Sequence, residues 1–381
     1  MTAKLWILLL IFSSGQILMG NLPTRILEAD WTAVHVHGDA VLVADSDGNL
    51  LRSTDGGIVF ESRYQGTPED AIHFIYGSGS TAIAVGAGGW ILRSADNGQS
   101  WSEVAADAIL GQLSAVVGNG SGHWVAAGQH QGSAATQVST DDGLTWTLHS
   151  VSGVYELTGI TWHSGSNQFV ASGSDGFFSG SVHASPEGSS WSSINVPSET
   201  SVLKFIASDG SNGLLAGGRE GILLRSEGSP ISFSAVEGFR PSEHLRSAVS
   251  TGQGSWIIGG DQAILIEIPA ASGNARLRSN PLPTAGSIVS IANRGGEEIL
   301  LAGSFSDYPW GPPQLQAEFN GQQLILRLHN ARLGRSYQLQ SSTNLSQWSN
   351  LSGTTRQATQ RTLEWTVAPD ETNRFFRVLV D

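Results

Sequence analysis

An eight-residue pattern, Ser-x-Asp-x-Gly-x-x-Trp, recurs along this chain and restricts its fold more than any other feature. Full copies occupy 94–101 and 139–146, and a partial copy at 53–60 ends in Phe60 instead of Trp. A short Asp side chain accepts hydrogen bonds from the backbone N–H groups that follow it, and Gly adopts a positive φ without a Cβ penalty. The aromatic residue then opens a strand and packs under the turn. Each copy is therefore predicted to be the tip of a β-hairpin.

The residues of these turns are predicted to be structural and not to bind a ligand. They are Ser53, Asp55, Gly57, Ser94, Asp96, Gly98, Trp101, Ser139, Asp141, Gly143 and Trp146. A weaker copy at 185–191 retains Gly188 and Trp191 but has lost the Asp, and 226–233 retains only its two ends. The leading Ser residues of the five copies are 41, 45, 46 and 41 residues apart, which defines a repeat.

Each repeat predicts four short strands, because an apolar strand that ends in small residues, such as 124–128, precedes every turn. A period of 40–46 residues with four strands predicts a β-propeller blade, since the coil of a solenoid is much shorter. Copies of the repeat begin near Trp31, Ile72, Leu113, Leu157, Leu203, Leu245 and Ile288. We therefore predict an all-β chain with a seven-bladed β-propeller, or a six-bladed one if the last copy packs elsewhere.

The last copy of the repeat shows only two clear strands before 308–313, rich in Pro and aromatic residues, ends the pattern. Residues 24–29 precede the first copy and are predicted to supply the outer strand that the last copy lacks. Strands from both ends of the domain then close the ring and leave fewer exposed sheet edges.

The sequence divides into three segments. Residues 1–20 combine Lys4 with an apolar run at 5–12 and small residues beyond it, which predicts a secretory signal peptide. Residues 21–310 are predicted to be the propeller, and 311–381, with its alternating strands and turn residues, a small antiparallel β-sandwich. No segment after residue 20 is apolar enough to cross a bilayer. The protein is therefore predicted to be secreted or periplasmic, with no membrane span in the mature chain.

Charge and cysteine content narrow the classes of partner and of site. The formal net charge is −13, and residues 311–381 hold seven Arg against five acidic residues, so residues 1–310 carry −15. A surface that acidic repels phosphate, which argues against nucleic acid as a partner. The chain has no Cys, so it forms no disulfide and no thiolate metal site, and core packing must stabilise it.

Three stretches resemble known families. The pattern at 94–101 and 139–146 resembles the Asp-box repeat of β-propeller blades, also called the bacterial neuraminidase repeat, in which the turn lies opposite the binding face. The longer run at 86–101, Gly-x-x-Gly-x-Ile-Leu-Arg-Ser-x-Asp-x-Gly-x-x-Trp, resembles the photosystem II assembly-factor type of propeller, which implies seven blades and protein binding. The segment from Tyr337 to Trp348 resembles the short fibronectin-like modules that end many exported bacterial proteins.

The face opposite the turns is the one on which a propeller of this kind is expected to bind. It is formed by the loops between the second and third strands of each repeat and by the links between repeats. Polar residues of those loops are the predicted ligand-binding set, with ordinary polar loop tips as the alternative interpretation. They are Asp47, His130, Asp175, Arg219, Glu220 and Asp261.

The sequence also offers a calcium-like spacing, Asp45-x-Asp47-x-Asn49, of residues with hard oxygen ligands. It lacks the distal bidentate Glu of such loops and falls where the repeat already requires a turn. No metal site is therefore predicted.

A sialidase is the sharpest enzyme hypothesis, because Asp boxes occur in sialidases, and such an enzyme needs three Arg around the substrate carboxylate. Arg52, Arg93 and Arg225 instead occupy one repeat position beside the turn, so they are predicted to be structural. Other glycoside hydrolases need two carboxylates across the channel, for which Asp175 with Asp47 or Asp261 is conceivable.

Regular repeats without a catalytic constellation favour an exported, non-enzymatic scaffold that binds a protein or a glycan through its loop face. The alternative is an extracellular glycoside hydrolase, sialidase-like or other, that uses acidic residues at the channel mouth. No catalytic residue, metal or cofactor is predicted. The identity of the partner and the purpose of 311–381 do not follow from the sequence.

Overall fold

The structure, a computed structural model, describes most of the chain between residues 24 and 380. The described residues are 24–57, 59–107, 111–176, 178–252, 254–278, 286–294, 298–304, 314–319, 323–329, 336–342, 347, 349–357, 362–367 and 375–380. The predicted signal peptide at 1–20 and the segment at 308–313 that ends the repeat pattern lie outside them. Among the described residues, no helix is both long and apolar enough to cross a bilayer.

The chain divides into two compact units, of which the larger is Asn21–Asp307. Its described residues form sheets of mostly antiparallel strands, with two single-turn 3-10 helices at Pro68–Asp70 and Arg219–Gly221. Four sheets repeat one order of four strands, and one of them gains a fifth strand at its outer edge. They are β5 (Ile72–Ser78), β6 (Thr81–Gly86), β7 (Ile91–Ser94) and β8 (Ser102–Glu103); β10 (Gly111–Gly118), β11 (Trp124–His130), β12 (Ser133–Ser139) and β13 (Thr145–Ser150), with β9 (Ala105–Ala106) added; β14 (Glu156–His163), β15 (Gln168–Ser174), β16 (Gly180–Ser185) and β17 (Ser192–Ile194); and β18 (Leu203–Ser208), β19 (Gly213–Gly218), β20 (Leu223–Glu227) and β21 (Ser234–Ala235).

A further four-stranded sheet and one six-stranded sheet complete the unit. The first is β22 (Leu245–Gly252), β23 (Ser255–Gly260), β24 (Leu265–Ile268) and β25 (Arg276–Leu277). The second runs in the order β26 (Ser287–Asn293), β27 (Ile299–Ser304), β1 (Thr24–His37), β2 (Ala40–Asp45), β3 (Leu50–Ser53) and β4 (Glu61–Tyr64). The prediction of an all-β chain built from four-stranded repeats is confirmed.

Strand β1 joins the two ends of this unit. Its first part pairs in parallel with β27, from Thr24 opposite Ile299 to Asp30 opposite Gly303, and its second part pairs antiparallel with β2. The predicted outer strand from residues 24–29 is therefore present, and it extends to Asp30. The first strands of successive sheets contact one another in a closed order, β1, β5, β10, β14, β18, β22, β26 and back to β1.

Each of these first strands has a register shift at one residue, which we call the bulge residue. It directly follows the residue at which each repeat was predicted to begin. The bulge residues are Thr32, His73, Ser114, Thr158, Lys204, Arg246 and Val289. A bulge redirects one side chain and increases the local twist of the strand.

The core lies between neighbouring sheets. The second strands whose burial is described are buried along most of their length, and β6 and β19 are buried at every residue. Apolar side chains from one sheet pack against those of the next, so that Phe205 and Leu215 share a cluster with Leu245 and Ile258. Strands buried on both faces explain the continuous apolar runs in the sequence.

The repeated turns share one set of hydrogen bonds. In 94–101, Ser94 Oγ donates to Asp96 Oδ1 at 2.7 Å, and the same carboxylate oxygen accepts from the backbone N–H groups of Gln99 at 3.0 Å and Ser100 at 2.9 Å. Gly98 has a φ of 78°, and its carbonyl accepts from Trp101 Nε1 at 3.2 Å. One carboxylate thus closes the turn, and one indole anchors it.

The copy at 139–146 repeats this geometry. Asp141 Oδ1 accepts from the N–H groups of Leu144 and Thr145 at 3.1 and 2.9 Å, and Trp146 Nε1 donates to Gly143 O at 3.0 Å. Hydrogen bonds from the Thr145 side chain and backbone lower the pKa of Asp141 to about 2. At Asp96 partial desolvation raises the pKa, but the hydrogen bonds from Ser100, Ser94 and Gln99 outweigh it and lower the value to about 2.

The arginines that precede the turns at 53–60 and 94–101 tie their sheets to the next one. Arg52 Nε donates to Asn97 O at 3.0 Å, and Arg93 Nε donates to Asp142 O at 2.7 Å. Arg93 also forms an ion pair with Asp142 at 2.9 Å. Arg52 and Arg93 therefore contact the turn of the following sheet and do not converge on a substrate carboxylate.

The smaller unit, described by itself, contains two sheets. One is β28 (Gln314–Phe319), β29 (Leu324–His329) and β33 (Leu363–Val367). The other is β30 (Ser336–Ser342) with β31 (Ser349–Asn350), β32 (Arg356–Gln357) and β34 (Phe375–Val380) paired to it. Leu326 and Trp365 of the first sheet share a buried cluster with Tyr337 and Val378 of the second.

Replacing Gly98 by Ala tests the close approach of turn and sheet. An added Cβ would lie 2.5 Å from Leu42 Cδ2 of the preceding sheet, at a φ of 78°. Gly120 is a matched control, since it has a φ of 84° and no atom within 4 Å of an added Cβ. We expect Gly120→Ala to cost about 1 kcal/mol of unfolding free energy and Gly98→Ala about 1–3 kcal/mol more. Equal losses in urea denaturation would contradict the packing argument.

His35 should make stability depend on pH. Its Nε2 accepts a hydrogen bond from Gly77 N at 2.9 Å, and burial lowers its pKa from 6.5 to about 3. The unfolded chain therefore binds a proton that the folded chain does not, and the stability present above pH 6.5 falls as the pH drops towards 3. His35→Gln retains an acceptor that does not titrate. The slope of unfolding free energy between pH 3 and 6.5 should be lower in the variant by up to about 1.4 kcal/mol per pH unit. Identical slopes would contradict the assignment.

Candidate functional site

The strand order gives the larger unit two faces. The turn face holds the repeated turns together with the loops between first and second strands, as in the hydrogen bonds of Asn97 N to Ser80 O and Asp142 N to Gly122 O. The loop face holds the loops between second and third strands and the links from sheet to sheet. All six predicted ligand-binding residues lie in loops or strand ends of the loop face.

Asp47 is exposed in the loop between β2 and β3. The neighbouring Asp45 closes this loop, because its Oδ1 accepts from Asp47 N at 3.0 Å and from Asn49 N at 2.9 Å. The calcium-like spacing is thus used for a turn. No group of three His, Cys, Asp or Glu side chains within the described ranges is arranged to hold a metal ion.

Asp175 closes the loop between β15 and β16 in the way that Asp45 closes the loop between β2 and β3. Its Oδ1 accepts from Phe178 N at 2.9 Å and from Ser179 N at 3.0 Å. The turn leaves the Phe178 side chain 82% exposed. Tyr155, in the link that enters the same sheet, is 44% exposed and lies against Gly176, where an added Cβ would be 2.8 Å from its ring. Asp175 therefore holds a loop that presents aromatic side chains.

Arg219 and Glu220 form the tight loop between β19 and β20. Glu220 adopts a φ of 54°, and its backbone bonds to the link that leads to the next sheet. Its N–H donates to His244 Nδ1 at 3.3 Å, and its carbonyl accepts from Arg240 Nε at 3.0 Å. Arg219 O accepts from Ser201 Oγ at 2.9 Å. These bonds connect the loop to the links on both sides of it.

Asp261 lies where β23 ends, and its carboxylate is held by two partners. Arg246 donates to both carboxylate oxygens, and Ser287 Oγ donates to Oδ1 at 2.8 Å. Partial burial raises the pKa of Asp261, but these hydrogen bonds and the charges of Arg246 and His244 lower it below its usual value. Asp261 N also donates to His244 O at 2.9 Å.

These contacts form a continuous strip along the loop face, which we call the loop-face strip. Residue 179 is bridged to Ser201, Ser201 bonds to the Arg219 loop, that loop bonds to the Arg240–His244 link, and the link bonds to Asp261. Its exposed or charged members are Tyr155, Asp175, Phe178, Arg219, Glu220, Arg240, His244, Arg246 and Asp261. Four of the six predicted residues, Asp175, Arg219, Glu220 and Asp261, belong to it.

Asp47 and His130 lie in loops of other sheets, His130 at the end of β11 opposite Ser133. Sequence reasoning missed Arg246 and Ser287, which engage Asp261. The repeat pattern could have indicated Arg246, because it directly follows Leu245, where a repeat begins. Lys204 occupies the same position after Leu203 and is also a cation. Of the predicted loop-face carboxylates, Asp175 accepts hydrogen bonds from its own loop, and Asp261 accepts them from Arg246 and Ser287.

Comparison with known proteins identifies the fold. No protein-family model matches the chain, and no curated protein does. Solved structures do match. YCF48 from Cyanidioschyzon merolae aligns with a TM-score of 0.58 at 16% identity over 75% of this chain and 95% of that one. A structure of YCF48 bound to D1 peptide aligns with a TM-score of 0.54 at 17% identity, over 75% of this chain and 96% of the other.

The WD40 β-propeller domain of Doa1 is similar at a TM-score of 0.59 and 13% identity, covering 76% of this chain and 95% of that one. Together these matches confirm the β-propeller. At such identities they establish the fold alone. The resemblance of 86–101 to a β-propeller repeat is therefore supported at the level of the fold.

The role of Asp175 in presenting Phe178 can be measured by amide hydrogen exchange. In Asp175→Ala the N–H groups of Phe178 and Ser179 lose their shared acceptor, and a hydrogen bond of this kind contributes about 1 kcal/mol. Their exchange should accelerate roughly fivefold while strands β15 and β16 remain protected. Asp47→Ala is the control, since no described residue bonds to the Asp47 carboxylate, and its loop should exchange as in the parent protein. Unchanged exchange in Asp175→Ala would contradict the assigned role.

Proposed function

We propose that this chain is an exported, non-enzymatic scaffold that binds a protein through the loop-face strip. One observation carries the proposal, which is the continuity of that strip. The strip carries exposed aromatic side chains at Tyr155 and Phe178 and, further along it, the charged groups of Arg240, Arg246 and Asp261. Aromatic and Arg side chains are enriched where proteins bind one another, and a mixture of both suits recognition of a peptide chain.

The architecture that presents this strip is, in our proposal, a seven-bladed propeller of Asp-box type followed by a β-sandwich. The closed order of first strands from β1 to β26 supports seven blades, and the shared turn hydrogen bonds of Ser94–Trp101 and 139–146 support the Asp-box assignment. The buried cluster between the two sheets of the smaller unit supports a sandwich. Lys4 and the apolar run at 5–12 support export.

The comparisons add support for a protein partner. One neighbour of similar fold was solved with a bound peptide, and others are WD40 domains. The hydrogen bonds that the Asp175 and Asp261 carboxylates accept favour a structural or binding role for these two residues over the paired carboxylates that a glycoside hydrolase requires.

Site-specific photocrosslinking tests the face that binds. A photoreactive phenylalanine at Phe178, on the loop face, should crosslink to a discrete protein in an extract of the producing cells. The same group at Leu144 is the control, because Leu144 is 55% exposed but belongs to a turn on the opposite face. The proposal requires a crosslink at Phe178 only, and no cleavage of a broad glycan panel by the purified protein. Equal crosslinking at both positions, none at either, or turnover of a glycan would overturn it.

A further inference from the structure

Two histidines lie in the contact between the strands β1–β4 and the sheet β5–β8, which we call the first seam. His35 Nε2 accepts a hydrogen bond from Gly77 N of β5 at 2.9 Å, and His37 Nε2 bonds to Asn97 Oδ1 of the following turn at 3.1 Å. The two ring centroids are 6.0 Å apart. His37 is 6% exposed, and a Cβ added at Gly77 would clash with its ring. The imidazoles therefore form part of the packing between the two sheets.

The closed seam accommodates both imidazoles as neutral rings. An imidazolium carries a hydrogen on each nitrogen, so a protonated His35 could not accept from Gly77 N. A protonated His37 could still donate to Asn97, but it would add a positive charge beside the second ring. Burial and the nearby charge of Arg52 lower the pKa of His37, despite the hydrogen bond to Asn97, which raises it.

The groups that face the two rings do not compensate a positive charge. Arg52 of β3 is itself a cation, and the ring of Tyr76 of β5 lies 5.2 Å from that of His35 and is kept neutral because burial raises its pKa. The Asp96 carboxylate, in the facing turn, bonds to residues of its own turn, and Asp39, in the hairpin after β1, is exposed. Within the described ranges, neither carboxylate forms a hydrogen bond or ion pair with either histidine.

The second seam, between β5–β8 and β10–β13, carries different side chains at the same places. Counted from the bulge residue of each first strand, Tyr76 and Ser78 of β5 take the places of the two histidines. The bulge residue of β5, His73, bonds across this seam to a backbone carbonyl, which accepts from a neutral or a protonated ring alike. Proton uptake therefore does not break the contacts of the second seam.

The turns that close the two seams also differ in charge. Asp142 in the turn at 139–146 stands where the turn of the first seam has Asn97. Its carboxylate accepts hydrogen bonds from three side chains, which are Thr81 at 2.6 Å, Arg93 at 2.9 Å and Trp124 at 3.2 Å. Partial burial raises the pKa of Asp142, but these bonds and the charge of Arg93 lower it below its usual value. The second seam therefore keeps a bound anion in weak acid, where the first seam has a neutral amide.

We propose that the first seam is an acid-sensitive opening in the ring, which loosens when His35 and His37 take up protons while the second seam stays closed. The sign follows from linkage, since the open seam exposes both imidazoles to water and binds protons that the closed seam does not. Strand β1 also pairs with β27, so the opening lies beside the closure of the larger unit. The inference does not depend on the proposed binding function.

His35 alone sets the minimum size of the response. Burial holds its pKa at about 3 in the closed seam, against 6.5 for an imidazole in water. The opening equilibrium should therefore rise about 25-fold between pH 7 and pH 5. His37 adds to this rise, because its pKa is also lowered in the closed seam.

The absence of Cys from the chain allows one thiol to report on each seam. Ala84 of β6 is 1% exposed and packs with Leu42 and Ile75 in the first seam, while Ala126 of β11 is fully buried and packs with Ile83 in the second. Ala84→Cys and Ala126→Cys are made separately and treated with 4,4′-dithiodipyridine, which reacts with thiols in weak acid. The rate on the folded protein, divided by the rate in urea, measures the opening.

We expect this ratio to rise about 25-fold or more at position 84 between pH 7 and pH 5, and less than about threefold at position 126. His35→Gln in the Ala84→Cys protein keeps an acceptor for the Gly77 N–H and should remove most of the rise. Asn97→Asp should also reduce it, because a carboxylate beside His37 favours the protonated ring in the closed seam. The turn tolerates this change, since Asp142 occupies the same position in the next copy.

His149→Gln is the matched control, because His149 lies on the outer strand β13, and the acid response at position 84 should not change. Circular dichroism melting at pH 7 confirms that each variant is folded. Three results would overturn the proposal. They are an equal acid response at both positions, which would indicate general loss of structure, no response at position 84, and a full response in the double variant His35→Gln/His37→Gln.

Discussion

The larger unit depends on the close approach of each repeated turn to the sheet before it. The turn must reverse the chain within a few residues and still present no side chain at the point of contact. A single Asp carboxylate satisfies the backbone donors, and Gly98 or Gly143 brings bare backbone within van der Waals reach of Leu42 or Ile83. The Asp that closes the turn and the Gly that allows the close contact lie within the same eight residues. The rest of each repeat can therefore vary in sequence. This close spacing between neighbouring sheets buries the second strands in the core.

The two faces of the unit are therefore under different constraints. On the turn face each copy repeats one set of bonds, and Arg52 and Arg93 link neighbouring copies through the backbone carbonyls of Asn97 and Asp142. Such contacts leave little freedom for a binding site. On the loop face the loops differ in length and sequence from one sheet to the next. The side chains that distinguish this protein from a bare repeat lie there, as expected when a rigid scaffold positions variable loops.

Much of the fold was predictable because its signals are local. The turn at 94–101 is specified by residues that bond to one another, and the outer strand at 24–30 by the missing strand of the last repeat. The site was predicted less completely. Asp175 and Asp261 lie in loops of the loop face, but the partners of Asp261, Arg246 and Ser287, come from elsewhere in the chain. Contacts of that kind leave no local pattern in the sequence.

The sequence by itself determined the period, the strand number of each repeat and the chemistry of the turns, since these rest on interactions within about eight residues. The tertiary structure decided which loop-face groups are already bound. Asp261 is bound by Arg246, and Asp175 is bound by its own loop. Whether a charge is paired depends on neighbouring sheets brought together by the closed order of the first strands. Only the folded ring brings those groups within hydrogen-bonding distance.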